Sequence, residues 1–261
     1  MSDYILQLEA VSKYFGAVIS LNEVTLRLKR GEVHCLLGDN GAGKSTLIKT
    51  LAGVHRPSKG EYLFDGEPVR FRSPRQALDM GIATVYQDLA LVPLMSVARN
   101  FYMGREPVKK LFGFLPVMDH ALAGETACTK LGEMGIKVRD ADQMIGTMSG
   151  GEKQCLAIAR AIHFGAKVLI LDEPTAALGV KQSVNVLQLI RKARERGIAV
   201  IFITHNVNHA YPVADSFTLL NRGKSLGTYA KADVSKEAVL DMMAGGAEMH
   251  KLMAELDGVT I

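Results

Sequence analysis

The chain has 261 residues, of which 48 % are hydrophobic and 22 % are charged, and its formal net charge is +4 at pH 7. This length is enough for one large α/β domain or two small ones, and the composition excludes a disordered chain. The positive charge is modest and both signs are interspersed, so it predicts no nucleic-acid partner.

The N-terminus has no basic segment followed by an apolar one, so we expect no signal peptide. The strongest apolar stretches, 168–171 and 199–203, are far shorter than the ~20 residues that a membrane-spanning helix needs. Three cysteines without a CxxC pair require no oxidising compartment. These features predict a cytosolic chain with neither a membrane span nor an amphipathic anchor of its own.

Short apolar runs alternate with turn residues in the first third of the chain, which predicts strands joined by tight turns. The predicted elements are strands 5–8, 24–28 and 33–37, a helix over 44–51, and strands 61–64 and 82–86.

The segment 88–165 has a different texture, with few β-branched runs and helix-like stretches at 96–102 and 121–134, and we interpret it as a helical insertion. A strand at 167–171, a helix at 181–196 and a strand at 199–204 then predict a right-handed parallel crossover. Residues 236–256 are predicted to be helical, with a break at Gly245 and Gly246.

A glycine-rich loop, Gly38 to Ser45, matches the pattern GxxxxGK[ST] and lies between a predicted strand and a predicted helix. Its glycines let backbone N–H groups converge on phosphate oxygens, and the positive end of the following helix adds to this attraction. Lys44 would neutralise the β- and γ-phosphates, and the hydroxyl of Ser45 would bind Mg²⁺.

Two carboxylates, Asp172 and Glu173, end the apolar run Val168 to Leu171. Asp172 at the edge of a parallel sheet can reach a metal ion through water, and Glu173 can polarise an attacking water molecule. A polar turn is the alternative interpretation, and the phosphate loop elsewhere in the chain weakens it.

Ser149, Gly150 and Gly151 open a predicted helix and form a second anion cradle, with a hydroxyl, bare amides and a helix dipole. One nucleotide needs one such cradle per chain. The second cradle therefore makes sense if it caps a nucleotide held by another copy of the chain.

With these motifs in this order, the chain resembles the ATPases of ABC transporters over essentially its whole length. Five segments carry the resemblance: Gly38 to Ser45 as the Walker A loop, Gln87 as the Q-loop, Ser149 to Gln154 as the signature, Asp172-Glu173 as the end of Walker B, and His205 as the switch histidine. Within the class it is similar to ATPases of bacterial monosaccharide importers, through Gly38 to Lys49, Tyr86 to Leu91 and Met242 to Gly246. Most of that group fuse two such domains, and this single domain resembles the fructose-import branch.

The resemblance implies a role for each matching residue. The residues implied to bind ATP are Phe15 (with Tyr14 as the alternative adenine-stacking ring), Gly38, Asn40, Gly41, Ala42, Gly43, Lys44, Ser45 and Thr46, together with Ser149, Gly150, Gly151 and Glu152 of a second copy. The implied Mg²⁺ ligands are Ser45, Gln87 and Asp172. The implied catalytic residues are Glu173, His205, Lys44 and Gln87.

The resemblance also implies the fold and the partners. We expect one nucleotide-binding domain of the P-loop NTPase type, with a RecA-like parallel core (1–87 and 166–235) that includes an N-terminal antiparallel β subdomain, an α-helical subdomain (88–165) and a helical tail (236–261). The expected partners are a second ATP-binding subunit, transmembrane permease subunits and, indirectly, a periplasmic or extracellular sugar-binding protein, which would place the chain on the cytoplasmic face of the inner membrane. The alternatives are a soluble ABC protein acting in DNA repair or on the ribosome and a regulatory subunit with little hydrolysis.

Two positions depart from the family pattern. Glu152 stands where the signature usually ends in Gln, so we expect mild repulsion toward a partner's phosphate. Gly179 stands where the family usually carries the Asp that communicates between the two ATP sites, so the resemblance does not extend that communication to this chain.

Overall fold

The computed structural model describes residues 3–244. Its strands are β1 (Tyr4–Phe15), β2 (Val18–Lys29), β3 (Val33–Leu37), β4 (Lys59–Phe64), β5 (Glu67–Pro68), β6 (Ile82–Val85), β7 (Val108–Leu111), β8 (Leu115–Met118), β9 (Val168–Asp172), β10 (Ala199–Thr204), β11 (Ser216–Asn221) and β12 (Lys224–Ala230). Its α-helices are α1 (Lys44–Leu51), α2 (Pro74–Asp79), α3 (Val97–Tyr102), α4 (His120–Glu133), α5 (Gly150–His163), α6 (Val180–Glu195), α7 (Val207–Ala210) and α8 (Lys236–Met243). Two short 3₁₀ turns lie at Ile145–Thr147 and Lys231–Asp233.

A six-stranded sheet forms the centre, in the order β12-β11-β3-β10-β9-β6. The five strands from β11 to β6 run parallel, and β12 is antiparallel to β11. Strands β3 and β10 are buried along their whole length, as expected for a parallel sheet covered on both faces.

Alternate residues of the central strands face two different cores, because successive side chains of a strand point to opposite faces. On β10, Ile201 and Ile203 pack with the antiparallel sheet β2-β1-β4-β5 and with α1, whereas Val200 and Phe202 pack with the residues of α3 to α6. The helix bounds expected near 44–51, 96–102, 121–134 and 181–196 are confirmed to within one residue at either end.

The segment between β6 and β9, interpreted as a helical insertion, contains α3, α4 and α5 but also a pair of strands at 108–118 that was not predicted. Strands β7 and β8 form an antiparallel hairpin there, with Leu111 opposite Leu115. The hairpin was not predicted because most of its side chains are exposed, so no alternation of apolar and polar residues marks its strands.

The helix expected at 236–256 begins as predicted with α8, and the rest of that segment, with Gly245 and Gly246, lies outside the described residues. Within residues 3–244, no helix combines the length and the apolar composition that crossing a bilayer requires.

Candidate functional site

Four motifs meet at one edge of the central sheet, because parallel strands bring their carboxyl ends to the same edge. The glycine-rich loop follows β3, Gln87 follows β6, Asp172 ends β9 and His205 follows β10. In the sheet order β3-β10-β9-β6 these four strands are direct neighbours. Segments from four distant parts of the sequence therefore form one candidate site.

The loop after β3 requires glycine where other backbone comes close. At Gly43, the residue before α1, φ is 103°, and a Cβ atom would lie 3.0 Å from the carbonyl oxygen of Ser20. At Gly38 a Cβ atom would lie only 2.4 Å from the carbonyl oxygen of Leu220, so any side chain there would force the backbone to move. The loop therefore packs closely against β2 and β11, and this packing requires glycine at both positions.

The side chain of Lys44 turns back over this loop. Its Nζ donates hydrogen bonds to the carbonyl oxygens of Gly38 and, at 3.0 Å, of Asp39. These acceptors are neutral carbonyl groups, so the ammonium charge is not neutralised by a carboxylate there. Phosphate oxygens could replace the carbonyl groups as stronger, charge-assisted acceptors.

A cavity of about 300 Å³ lies between the loop and the two carboxylates. Its lining residues are Ser20, Asp39, Asn40, Gly41, Gly43, Lys44, Ser45, Thr46, Gln87, Asp172 and Glu173. Ser20 was not predicted from the sequence, and its hydroxyl lies 2.7 Å from Oγ1 of Thr46. A serine on an ordinary strand carries no sequence signal, and only the pairing of β2 beside the loop places it there.

Several predicted binding residues lie outside this cavity. Gly38 and Ala42 are buried and line a neighbouring cavity of about 350 Å³. Phe15 is 42 % exposed and meets the ring of His55 edge-on, with 5.1 Å between the ring centroids. Tyr14, the alternative stacking residue, has Nζ of Lys59 above its ring at 5.9 Å. Both aromatic rings are near the surface beside the cavity-forming strand β2, and neither lines the cavity.

Asp172 and Glu173 face the cavity as a pair of adjacent carboxylates. Burial raises the pKa of Asp172 above its ordinary value, the neighbouring Glu173 raises it further, and Lys44 lowers it. The charged form of Asp172 is therefore destabilised where it lies, and a cation bound in the cavity would relieve this.

The residues of the cavity fit Mg²⁺ delivered with phosphate better than a cage of protein ligands. Among residues 3–244, no group of three or more His, Cys, Asp or Glu side chains could hold a metal ion. Mg²⁺ typically uses one or two carboxylates together with water and phosphate oxygens. Ser45, Gln87 and Asp172 supply a hydroxyl, an amide and a carboxylate oxygen donor around the same cavity.

The carboxylate of Glu173 is held by three hydrogen bonds from the end of β10. Oγ1 of Thr204 donates to Oε2 at 2.9 Å, and the backbone N–H of His205 donates to Oε1 at 3.1 Å. Nδ1 of His205 lies 2.7 Å from the same Oε1. Glu173 itself has a φ of 47°, a strained value for a non-glycine residue, and its N–H donates to the carbonyl oxygen of Ile203 at 2.9 Å.

His205 is the outer partner of this arrangement. Its side chain is 61 % exposed, whereas that of Glu173 is only 12 % exposed. The histidine does not line the cavity and reaches it only through Glu173. Thr204, which sequence reasoning missed, is fully buried and also accepts a hydrogen bond from the N–H of Asn206 at 3.1 Å.

The segment at the start of α5 also lies apart from the cavity. Glu152 does not project freely, because its Oε2 accepts a 2.7 Å hydrogen bond from the backbone N–H of Ser149. The hydroxyl of Ser149 in turn accepts a 3.4 Å bond from the N–H of Glu152, which completes a capping box. The sequence carries the signal for this box, Ser followed three residues later by Glu, so the bond between them was predictable.

Thr204→Val should slow the expected hydrolysis of nucleotide without weakening nucleotide binding. Valine keeps the buried volume but removes the hydrogen bond that fixes Oε2 of Glu173. Hydrogen bonds to charged groups contribute about 1.5–3 kcal/mol, so we expect kcat for nucleotide hydrolysis to fall roughly 10- to 100-fold with KM nearly unchanged. Steady-state kinetics check this, and Thr204→Ser, which keeps the hydroxyl, should recover most of the rate. An equal loss of kcat in both variants would assign Thr204 a packing role.

Comparisons with known proteins agree with this geometry. A family model described as "ABC transporter" matches residues 21–176. The chain is 40 % identical to a xylose/arabinose import ATP-binding protein of Sulfolobus acidocaldarius (95 % of this chain, 96 % of that one) and 41 % identical to a fructose import ATP-binding protein of Rhizobium meliloti (94 % and 95 %). It is also 41 % identical to a putative ribose/galactose/methyl galactoside import ATP-binding protein of Burkholderia cenocepacia, over 94 % of this chain and only 46 % of that protein. The chain thus spans about half the length of this last relative.

Solved structures show the same fold. A dimeric ATP-binding cassette in a post-hydrolysis state with ADP and Pi superposes with a TM-score of 0.72 at 26 % identity, over 87 % of this chain and 98 % of that one. A nucleotide-free ATP-binding cassette from an ABC transporter gives a TM-score of 0.79 at 22 % identity, over 91 % and 96 %. At this level of identity the second likeness bears on the fold alone.

Proposed function

Because the chain belongs to the ABC transporter family, we propose that it is the ATP-binding and ATP-hydrolysing subunit of a sugar importer. The observation that supports this most directly is the single cavity lined by Lys44, Gln87, Asp172 and Glu173. The relatives are named as import ATP-binding proteins for pentoses, hexoses and related sugars. We place fructose or ribose among the candidate substrates.

In the proposed reaction, water attacks the γ-phosphate of ATP in line with the leaving oxygen. Glu173, fixed by Thr204 and His205, orients and polarises this water. Lys44 neutralises charge that develops on the phosphate oxygens. Mg²⁺, held through Ser45, Gln87 and Asp172, would supply further charge neutralisation on these oxygens.

The signature segment supports a role for a second copy. Ser149 and Gly150 are exposed at the N-terminus of α5 and do not line the cavity of their own chain. We propose that two subunits bind head to tail, so that this segment of each copy closes over the nucleotide of the other. Such closure would couple hydrolysis to movement of permease subunits at the cytoplasmic face of the inner membrane.

Uptake measurements test this function. Deletion of the gene should abolish ATP-dependent accumulation of one labelled monosaccharide among fructose, ribose, xylose and arabinose. Wild type should restore uptake, and Glu173→Gln should not. Unchanged uptake of every sugar, together with copurification of DNA-repair proteins or ribosomes, would favour the soluble alternative. That alternative has little support here, because the longest helix among residues 3–244 is α6, with 16 residues, and the relatives above carry import names.

Glu152→Gln should strengthen ATP-dependent dimerisation of the isolated chain. Glutamine can keep the capping box with Ser149 and removes a negative charge that would approach a partner's phosphate. Screening at a protein surface limits the effect to about 1 kcal/mol, or roughly fivefold in the dimer dissociation constant, and it should shrink as salt is added. Sedimentation of Glu173→Gln with and without the second substitution, across a salt series, measures it. If the two proteins dimerised with equal affinity at all salt concentrations, the bond to Ser149 would already offset the effect of the Glu152 charge on the partner's phosphate.

A further inference from the structure

The turn end of the hairpin of β7 and β8 is exposed, whereas the base of the hairpin packs against the core through Met118. Phe112 and Phe114, in the turn between the strands, are 81 % and 77 % exposed. Leu111 and Leu115, which face each other at the end of the ladder, are also exposed. Four large apolar side chains are therefore gathered at one tip, which is unusual for a surface in contact with water.

The turn at this tip places a phenylalanine in a backbone conformation that bulky residues rarely adopt. Phe112 has a φ of 53° and Gly113 a φ of 82°, and the N–H of Phe114 donates to the carbonyl oxygen of Leu111 at 3.3 Å. Turns with positive φ at both central positions are normally made with Asn, Asp or Gly at the first of them. A bulky aromatic residue there points to a use for its ring at the tip.

Charged residues follow the apolar tip in a fixed order. Lys110 and Lys109 lie one and two residues before Leu111 on β7. Lys110 makes no ion pair with any residue from 3 to 244, and Nζ of Lys109 lies 3.6 Å from Oδ1 of Asp119 at the base of the hairpin. Going from the tip toward the domain along β7, the apolar tip is followed by the two lysines and then by exposed Val108.

We propose that this hairpin tip inserts into the interface of a membrane that carries anionic headgroups. The apolar tip with lysines directly behind it matches such a surface, with the aromatic and aliphatic side chains in the acyl boundary and the lysines at the phosphates. A lipid interface also surrounds an inserted tip on every side, which suits a turn whose four apolar side chains are all exposed, whereas a flat protein surface would cover one side of it.

This proposal does not depend on the proposed ATPase function, and it departs from the sequence-based expectation that the chain has no membrane anchor of its own. Two phenylalanines and two lysines give a weak, reversible contact, because firm anchoring takes more buried apolar surface. We expect the contact with and without ATP. It would orient the subunit at the membrane, and the permease subunits would provide the stable attachment.

The chain contains no tryptophan, so a single introduced tryptophan reports its own surroundings. In Phe114→Trp, mixing the full chain with vesicles of phosphatidylcholine and phosphatidylglycerol should shift the emission to shorter wavelengths, and brominated lipid should quench it. Val184→Trp, at an exposed apolar position on α6, is the matched control and should show neither effect. An unshifted Phe114→Trp emission would overturn the proposal, as would a shift that appears only in vesicles containing permease subunits.

Cosedimentation with the same vesicles measures the contribution of each layer. Phe112→Ser/Phe114→Ser should lower the partition coefficient at least tenfold. Lys109→Glu/Lys110→Glu should lower it more than about 25-fold, since each lysine near an anionic surface contributes roughly fivefold. Lys224→Glu, an exposed lysine on β12, is the charge control and should change binding little. Unchanged ATPase rates would show that the hairpin variants fold, and equal binding of wild type and both hairpin variants would contradict the proposal.

Discussion

Glu173→Gln should retain ATP binding while ATP hydrolysis falls at least about 100-fold, the usual contribution of a positioned general base. Glutamine has the same shape, so Thr204 and His205 can still hold the side chain, but it cannot accept a proton from water. Binding should not weaken, because one of two adjacent negative charges leaves the cavity that receives the phosphates. Release of phosphate and titration with a fluorescent ATP analogue measure the two quantities separately.

The same substitution should trap a dimer when ATP is added, since the closed state forms and cannot hydrolyse its nucleotide. Glu195→Gln, an exposed carboxylate at the end of α6, is the matched control and should hydrolyse ATP at the wild-type rate. Turnover within a few-fold of wild type in Glu173→Gln would remove Glu173 from the proposed role and leave the hydrogen bond from Thr204 with a structural function only.

Lys44→Ala should instead weaken nucleotide binding itself. Among residues 3–244, Nζ donates its hydrogen bonds to the neutral carbonyl oxygens of Gly38 and Asp39, which leaves its positive charge at the phosphate loop without a hydrogen-bonded carboxylate. Charge-assisted hydrogen bonds contribute about 1.5–3 kcal/mol, so ATP should bind roughly 10- to 100-fold less tightly. Calorimetric titration with ATP and with adenosine distinguishes phosphate binding from base binding, and the affinity for adenosine should not change.

Lys49→Ala provides the control for Lys44→Ala, because Lys49 is an exposed lysine of the same helix, α1, and does not line the cavity. If both alanine variants bound ATP equally well, the loop would have to hold the phosphates through backbone N–H groups alone. Hydrolysis should also fall in Lys44→Ala, but the loss of binding is the diagnostic result.

The parallel core could be predicted from the sequence, because fully apolar strands that end in polar motifs are typical of a parallel sheet with a site at its carboxyl edge. The run Val168 to Leu171 ends in two carboxylates, and 33–37 ends in the glycine-rich loop, so their shared edge could be foreseen. Residues whose importance arises from a contact across the fold could not be foreseen in this way. Thr204 and Ser20 are ordinary strand residues until Glu173 and Thr46 are brought beside them.

Other features were missed because their signals are weak or local. Helix α2 has only 6 residues, too few to show a helical period. Strand β12 alternates exposed and half-buried residues without a marked apolar face, so no alternation of apolar and polar residues marks it. At Glu152 the sequence analysis considered the charge alone and did not use the local bond from the N–H of Ser149, three residues before it, so the expected repulsion toward a partner's phosphate stays a prediction.

The position of β3 in the middle of the sheet has a consequence for the order of folding. Every residue that lines the cavity comes before residue 174, yet β3 receives its neighbours from β10 and β11, and Val33 bonds to Asp215, which is 182 positions away. Contacts between such distant segments form late, because the loop that they close must first lose its conformational freedom. During synthesis the glycine-rich loop therefore exists long before β3, the strand that precedes it, pairs with β10 and β11. Bound nucleotide would therefore stabilise the fold of a growing chain only near the end of translation, after β11, the last parallel strand, has been made.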